Sequence, residues 1–471
     1  MRCLAVLREG LTGLVKLATI SAADSGLGSL RVEPSIATWT NRETPPPLWT
    51  GHQPWLWHPG ILAKYFAIDA ANPNGRSINL VVDHDVQDAV RLDLPRRHDN
   101  VWSIKHVRLG TMQAEVPTGC QPAIDAEKAV WILRNEVSST RGVSLDPLSD
   151  AWSQPQVRMA STLGRQVAGV LSFLMRPWLD GHWEDQMSTE LCEAAWFGEA
   201  LHALLHEAPA MAAAYNRAAA AVPEAGVGWL GRSREWVELP LWLLGWERPR
   251  RRVFADVSDT TPWLIDEHGQ RLDWEAKGLG PNGVWLAPKA LWMTALIRRR
   301  VEACGGFVHG TGGAVYDRAM EHWWKAWRNE SLAPKAVATT DLVLDLPGPT
   351  ADRDELARAV WWEHHLPHNV DRYPGVEAAH PELVAEKAGL LAAMLSDPDR
   401  KRRRAAFNRI HAINATLTDA HHVLIDQAQK ARRRAEAGLA NAAIRRKRDW
   451  CFALYPQDSL RALRDAVRAA H

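Results

Sequence analysis

Cysteine is scarce in this chain of 471 residues. The five present, Cys3, Cys120, Cys192, Cys304 and Cys451, are odd in number and far apart, with no Cys-x-x-Cys pair and no zinc-like Cys/His spacing. That excludes a disulfide-stapled scaffold or a cysteine-rich zinc module, and it suits a reducing compartment, so a cytoplasmic protein is expected. An excess of either charge is also missing. Lys+Arg 56 against Asp+Glu 55 leaves a net charge of +1, so no global field draws the chain onto nucleic acid or a membrane, and any anion must be met by local groups. No apolar stretch approaches the roughly 18 residues of a membrane span. Arg2, Arg8, Glu9 and Lys16 interrupt the apolar pieces of residues 1–30, which breaks any signal-peptide core and reads as a loosely docked extension. Tyrosine and phenylalanine are few, five and seven, whereas tryptophan numbers 24. A residue with a large apolar body and one N–H donor fills cores and lines interfaces, and the Trp55/Trp57 pair has stacking of a ligand as its alternative role.

What is present is a pattern of α/β units. After an extended lead-in at 34–49, a short strand at 48–50 runs into Gly51-His52-Gln53-Pro54-Trp55-Leu56-Trp57-His58-Pro59-Gly60. The helical spacing of Ile61, Leu62, Tyr65, Phe66 and Ile68 then continues until Asn72-Pro73-Asn74-Gly75 stops it. Residues 78–82 form a buried strand, which completes a parallel βαβ unit. Residues 126–220 read as helical and 236–274 as antiparallel strands, with a hairpin turn at 265–269. The α/β pattern returns as a helix at 290–303, a strand at 306–309, a helix at 314–327 and a strand at 341–346.

Beyond residue 381 the chain is helical and charged. Phe407, Ile410, Asn414, Leu417, His421, Leu424, Ala428, Ala431 and Ala435 alternate spacings of three and four, a coiled-coil seam, with a partner helix at 383–395 and a turn at Asp397-Pro398-Asp399. An intramolecular hairpin and a homodimer through this seam are both open. The basic runs at 401–404, 432–434 and 445–447 carry no nucleic-acid motif and read as solvated helix faces. The expected fold is therefore a Rossmann-like, mostly parallel sheet with a helical and antiparallel insert and a C-terminal coiled-coil helical hairpin. The boundaries are an extension at 1–47, core at 48–125 and 281–375, a helical connection at 126–235, an antiparallel insert at 236–280, the hairpin at 376–448, and a return to the core at 449–471.

Three loops follow strands of the proposed sheet, so they leave the same edge and converge on one crevice. The first offers Gly51, His52, Gln53, Trp57 and His58 at a helix start, where orphan amides and the helix dipole favour an anion, and Lys64 follows on the same helix. The second is Asp83-His84-Asp85, whose carboxylates and imidazole suit proton transfer with an amine, the alternative being a divalent metal or a plain polar turn. The third, His309-Gly310-Thr311-Gly312-Gly313, lets backbone approach a ligand, with Tyr316 one turn further on.

As an ordered set these residues resemble the cysteine-adding ligases of bacillithiol biosynthesis, over most of the chain from about Thr50. Gly51, Gln53, Leu56 and Trp57 match that family's first loop, where His52 replaces a glutamine and Pro59-Gly60 is reversed. Asp83, His84 and Asp85 match its Asp-His-Asp, with Val82 at a family acidic position. Residues 281–288 are similar to its Pro-Asn-Val-x-Leu-Arg-Pro with Ala287 for the arginine, and Gly310, Gly312 and Tyr316 match its glycine-rich loop, where Thr311 and Gly313 replace Pro and Glu. The resemblance implies a Rossmann-type core and an amide-forming reaction that joins an amino acid to an anionic amino-sugar acid. Asp83 or Asp85 would take the amine's proton and His84 would orient the amine. ATP or ADP is an open cofactor and no metal motif is present. Nucleotidyl transfer, and a non-catalytic interaction protein working through its coiled coil, are the rival readings.

Overall fold

A computed structural model describes residues 27–33, 46–136, 143–272, 284–300 and 302–470. Most of the N-terminal extension and lead-in, the Pro281-Asn282-Gly283 part of the family-like stretch and the end of the antiparallel insert lie outside these residues. The chain divides into two compact units, one of residues 1–94, 105–345 and 447–471, the other of residues 95–104 and 346–446.

The first unit is built on a six-stranded sheet. Its strands are β1 (Leu27–Glu33), β2 (Leu48–His52), β3 (Arg76–Val81), β6 (His182–Met187), β11 (Gly306–His309) and β12 (Lys335–Leu342), in the order β1-β12-β11-β2-β3-β6. Every neighbouring pair is parallel except β1 against β12. The fold is mixed α/β with a mostly parallel sheet, and residues 78–81 and 306–309 share it.

Strand order explains where a site can form. From β2 the chain moves outward to β3 and β6, then returns to lay β11 on the other side of β2 and β12 beyond it. The order reverses between β2 and β11, and at such a reversal the loops leaving the two strands part and open a crevice at their carboxyl ends. Thr50 Oγ1 donates to the Val308 carbonyl at 2.8 Å, tying the two strands just below it.

The helix Pro59–Ala71 starts where it does because Pro59 needs no N–H at that position and His58 caps the first turn, its Nδ1 accepting from the Gly60 amide at 3.0 Å. The helix is buried from Pro59 to Asp69. A Cβ at Gly60 would stand 2.8 Å from the Thr340 carbonyl oxygen, so glycine there lets helix and β12 approach closely. The C-terminal helix Gln457–Ala469 packs against Pro59–Ala71 and β1.

Several features differ from the sequence reading. The strand expected at 341–346 lies earlier, at Lys335–Leu342. The segment expected to be a helical connection contains β6, an outer strand of the main sheet. Residues 27–33, read as part of a loose N-terminal extension, pair along β12 and cover that edge. The antiparallel part is a sheet of β7 (Trp236–Gly245), β8 (Arg248–Asp256), β9 (Trp263–Asp266) and β10 (Val284–Pro288), in the order β10-β7-β8-β9. Residues 284–288, expected in the core, belong to this sheet. Helices Ala195–His206, Ala208–Ala221, Ala290–Arg298 and Thr311–Trp327 pack on it around Leu239, Leu241, Trp292 and Trp323.

The hairpin of β4 (Arg91–His98) and β5 (Val101–Arg108) carries its tip into the second unit. There Asn441, fully buried, accepts from the Trp102 amide and donates to the Asn100 and Pro349 carbonyls. The unit is otherwise helical. Pro381–Ser396 and Arg400–Ala420 form a hairpin across Asp397-Pro398-Asp399, with Leu383 and Leu390 against Ile413 and Leu417. The seam expected to run unbroken from Phe407 to Ala435 is interrupted: His421 leaves helical geometry at φ −116° and ψ 34°, and Phe407 is 51% exposed. The next helix, His422–Arg445, packs instead on Arg353–His365. Its alanines at 428, 431 and 435 are too small to fill a coiled-coil layer but allow a close helix approach. Among the described residues no helix is long and apolar enough to cross a membrane.

Candidate functional site

A cavity of about 990 Å³ opens at the reversal of strand order. Gly51, His52, Gln53, His58, Lys64, His84, Asp85, His309, Gly310, Thr311, Gly312 and Tyr316 all line it, so all three loops contribute. Two residues of the expected set do not line it. Trp57 is buried, stacked on Tyr65 at 4.9 Å, and its Nε1 donates to the Gln53 carbonyl, which fixes the loop from behind. Asp83 is turned inward.

Asp83 Oδ1 accepts from Ser188 Oγ and the Thr189 amide, both at 2.9 Å, and Oδ2 accepts from Thr189 Oγ1 at 2.8 Å. Burial raises its pKa while these hydrogen bonds oppose the rise. A Cβ on Gly119 would come 2.3 Å from its Oδ2, so no substrate fits beside it. Its influence travels through Ser188, whose Oγ also lies 2.7 Å from His84 Nδ1. With the Ser188 hydrogen donated to Asp83, His84 Nδ1 must donate to Ser188, which leaves the lone pair on His84 Nε2. Burial holds the His84 pKa down to about 4 against the raising effect of Asp85, so the ring is neutral near pH 7. Asp85 is committed elsewhere: Oδ2 accepts from Gln53 Nε2 at 3.1 Å and Oδ1 pairs with Arg250 Nη1 at 2.5 Å. Burial would raise its pKa, but Gln53, Arg250 and His84 outweigh that and keep it ionised.

Both histidines of the first loop are neutral donors. Trp55 Nε1 donates to His52 Nδ1 at 3.1 Å, which puts the His52 proton on Nε2, and burial first, then Lys64, hold its pKa well below the usual value. His58, its Nδ1 occupied by Gly60, is lowered to about 4 by burial and by Arg448.

Lys64 is the outlier among the cations. Arg250 has Asp85, Lys289 has Glu238 at 2.7 Å, and Arg448 has Asp341 at 2.9 Å. Lys64 is 2% exposed, and its Nζ donates to the Gly51 carbonyl at 2.7 Å with no carboxylate beside it among the described residues. Burial pulls its pKa down to about 7. A buried ammonium without a counter-ion is costly, which is what favours the neutral amine here, and an anion beside it would offset that cost.

The third loop ends in the helix Thr311–Trp327, whose N-cap, Gly310, supplies no side-chain acceptor, and whose first turn carries no acidic residue. Gly313 is required by packing, since a Cβ there would stand 2.5 Å from His309 Nδ1. His309 stacks on Phe307, and its Nε2 lies 2.9 Å from Asp317 Oδ2, within ion-pair distance although off the line of a hydrogen bond. Asp317 also takes Arg298 at 2.7 Å, and its contacts with His309 and Arg298 outweigh burial and lower its pKa.

Sequence reasoning missed Trp242, Arg250 and Lys289. They reach the cavity from the antiparallel sheet and the end of β10, and each cation sits 4.4 Å from the Trp242 ring centre. Their signal in the sequence is slight: Trp242 and Arg250 sit on strands and Lys289 just before a helix, with no motif around them. Among the described residues no group of three or more His, Cys, Asp or Glu is arranged to hold a metal ion. No protein-family model and no curated protein matches the chain, so the site speaks through its own geometry.

Proposed function

We propose that the protein is a ligase-like enzyme that forms an amide between a small amino acid and an anionic acceptor, similar in outline to the cysteine-adding ligases of bacillithiol biosynthesis and changed in substrate. The observation that carries this reading is that one cavity joins a buried, uncompensated Lys64 to a neutral His84 whose Nδ1 is already engaged. Lys64 and the His52 and His58 N–H groups suit the acceptor's negative charge. His84 Nε2 suits the proton that an attacking amine must lose, with Asp83 and Ser188 fixing the ring and Asp85 stabilising the imidazolium that forms. The amine's nitrogen bonds the acyl carbon and the oxygen leaves as water, or with a phosphate if ATP first activates the acid.

Nucleotidyl transfer is the second reading, favoured by two helix starts without acidic residues on either side of the strand reversal. The test incubates the full chain with cysteine and other amino acids, amino-sugar acids and ATP, omitting each in turn, and follows product masses. Amide formation predicts a mass equal to the two substrates less water, abolished in His84→Ala and weakened by about 100-fold or more in His84→Asn. A nucleotide-adduct mass with no amide would favour the second reading, and no product from any combination would remove both.

A further inference from the structure

We infer that the anion held in this cavity is a phosphoryl group, seated between the Lys64 ammonium and the bare start of the helix Thr311–Trp327. This rests on the cavity being the working site and goes on to name the chemistry of its ligand. Two independent features line the same cavity. The first is the helix start, where the amides of Thr311, Gly312 and Gly313 have no carbonyl one turn back to accept them, and Gly310 offers no side-chain cap. The second is Lys64, nine-tenths buried and more, with one of its three N–H groups on the Gly51 carbonyl and no protein acceptor for the other two among the described residues. Its Cδ lies 4.0 Å from where a Gly310 Cβ would stand, so the ammonium stem passes the helix cap.

Gly312 adds a third indication. A Cβ there would meet nothing within 4 Å, so packing does not require glycine, and the bare backbone instead keeps the amides open to the cavity. A planar carboxylate presents acceptors in one plane. A phosphoryl group presents three oxygens pointing apart, which suits donors arriving from a helix start on one strand's loop and from a lysine and the His58 N–H on the other's. Every other cation lining the cavity is already paired with a carboxylate, so the ligand's charge is met chiefly by Lys64 and the helix.

The ligand is a free phosphate, a phosphate ester or the terminal phosphate of a nucleotide, and the experiment separates these. Calorimetric titration of the full chain with inorganic phosphate, glucose 6-phosphate, ADP and ATP, and with malate and citrate as carboxylate controls, is run on wild type, Lys64→Met and Gly312→Asp. At least one phosphoryl ligand should bind wild type more tightly than both carboxylates and lose at least tenfold in affinity in each variant. Lys64→Met should melt no lower than wild type, so that loss of binding is not loss of fold. Gly312→Asp, placed in open space, serves as the second variant. Binding of the nucleotides alone identifies a nucleotide, and equal binding of inorganic phosphate identifies the free anion. Preference for malate or citrate overturns the phosphoryl assignment while leaving amide formation intact. Unchanged phosphoryl affinity in Lys64→Met, or no phosphoryl binding by wild type at 10 mM, overturns it outright. Amide product without phosphoryl binding would separate failure here from failure of the proposed reaction.

Discussion

Lys64 carries a consequence that can be measured without knowing any substrate. Its folded pKa is about 7 while the unfolded chain titrates near 10.5. Between those values the unfolded state binds the extra proton, so stability attributable to this group rises with pH across that window and is lowest below 7, where the folded state holds a buried charge. Lys64→Met is therefore expected to be more stable than wild type at pH 6, by a few kcal/mol, with the gap closing towards pH 10 in urea unfolding. A variant less stable than wild type at pH 6 would mean that the ammonium is compensated after all. His58 and His84 act in the opposite range. Both are held to about 4 in the folded state against 6.5 unfolded, so the stability they confer is present above pH 6.5 and lost as pH falls towards 4. His58→Asn keeps an N-cap acceptor, and its unfolding free energy should fall less steeply than that of wild type between pH 6.5 and 4, with little change at pH 8. At this scale much of the cavity was legible: strand-end placement alone picked out His52, His58, His84, Asp85 and Gly312. Direction was not legible, because nothing in Asp83-His84-Asp85 says that the first carboxylate turns into the Ser188-Thr189 segment while the next two residues face the cavity.

Elements were legible where a pattern was long and failed where it was short or shared. The βαβ unit at 48–81 announced itself by helical spacing between two turn signals. β6 did not, because His182-Trp183-Glu184-Asp185-Gln186-Met187 is polar and half exposed, as an outer strand is allowed to be. The continuous seam beyond Phe407 was misleading for a related reason: three-four spacing survives a helix break when the second helix finds another partner. The helix hairpin makes its own prediction. Leu417 is fully buried among Leu366, Val370, Ile413 and Ala428, so Leu417→Ala should cost about 2–5 kcal/mol in the stability of that unit, while Phe407→Ala should change it little. In the first unit, Asp317→Asn leaves Arg298, 3% exposed, with Glu321 as its remaining carboxylate and His309 without a charged neighbour. A loss of about 3 kcal/mol in urea denaturation is expected, larger than for any exposed pair such as Arg409–Glu386.

For the molecule as a whole, the division into two units is what the sequence expressed least clearly, because the second is assembled from a hairpin tip at 95–104 and a helical stretch 240 and more residues further on. Local spacing describes neither partner of such a long-range match. Each unit nonetheless has its own apolar cluster, Leu239, Leu241, Trp292 and Trp323 among others in the first, and Leu366, Ile413 and Leu417 among others in the second. Every residue lining the cavity, from Gly51 to Asp449, falls in the first. A charge driven into the second core should then unfold that unit without reaching the cavity. Leu417→Asp puts a carboxylate among Leu366, Val370, Ile413 and Ala428, a change too costly for so small a core. The full-length variant is expected to lose helical circular dichroism in proportion to the helices of 346–446 and to gain protease cleavage there. It should also keep wild-type affinity for whichever anion the cavity binds. Loss of anion affinity in Leu417→Asp would mean that the fold of the cavity depends on the helices of 346–446.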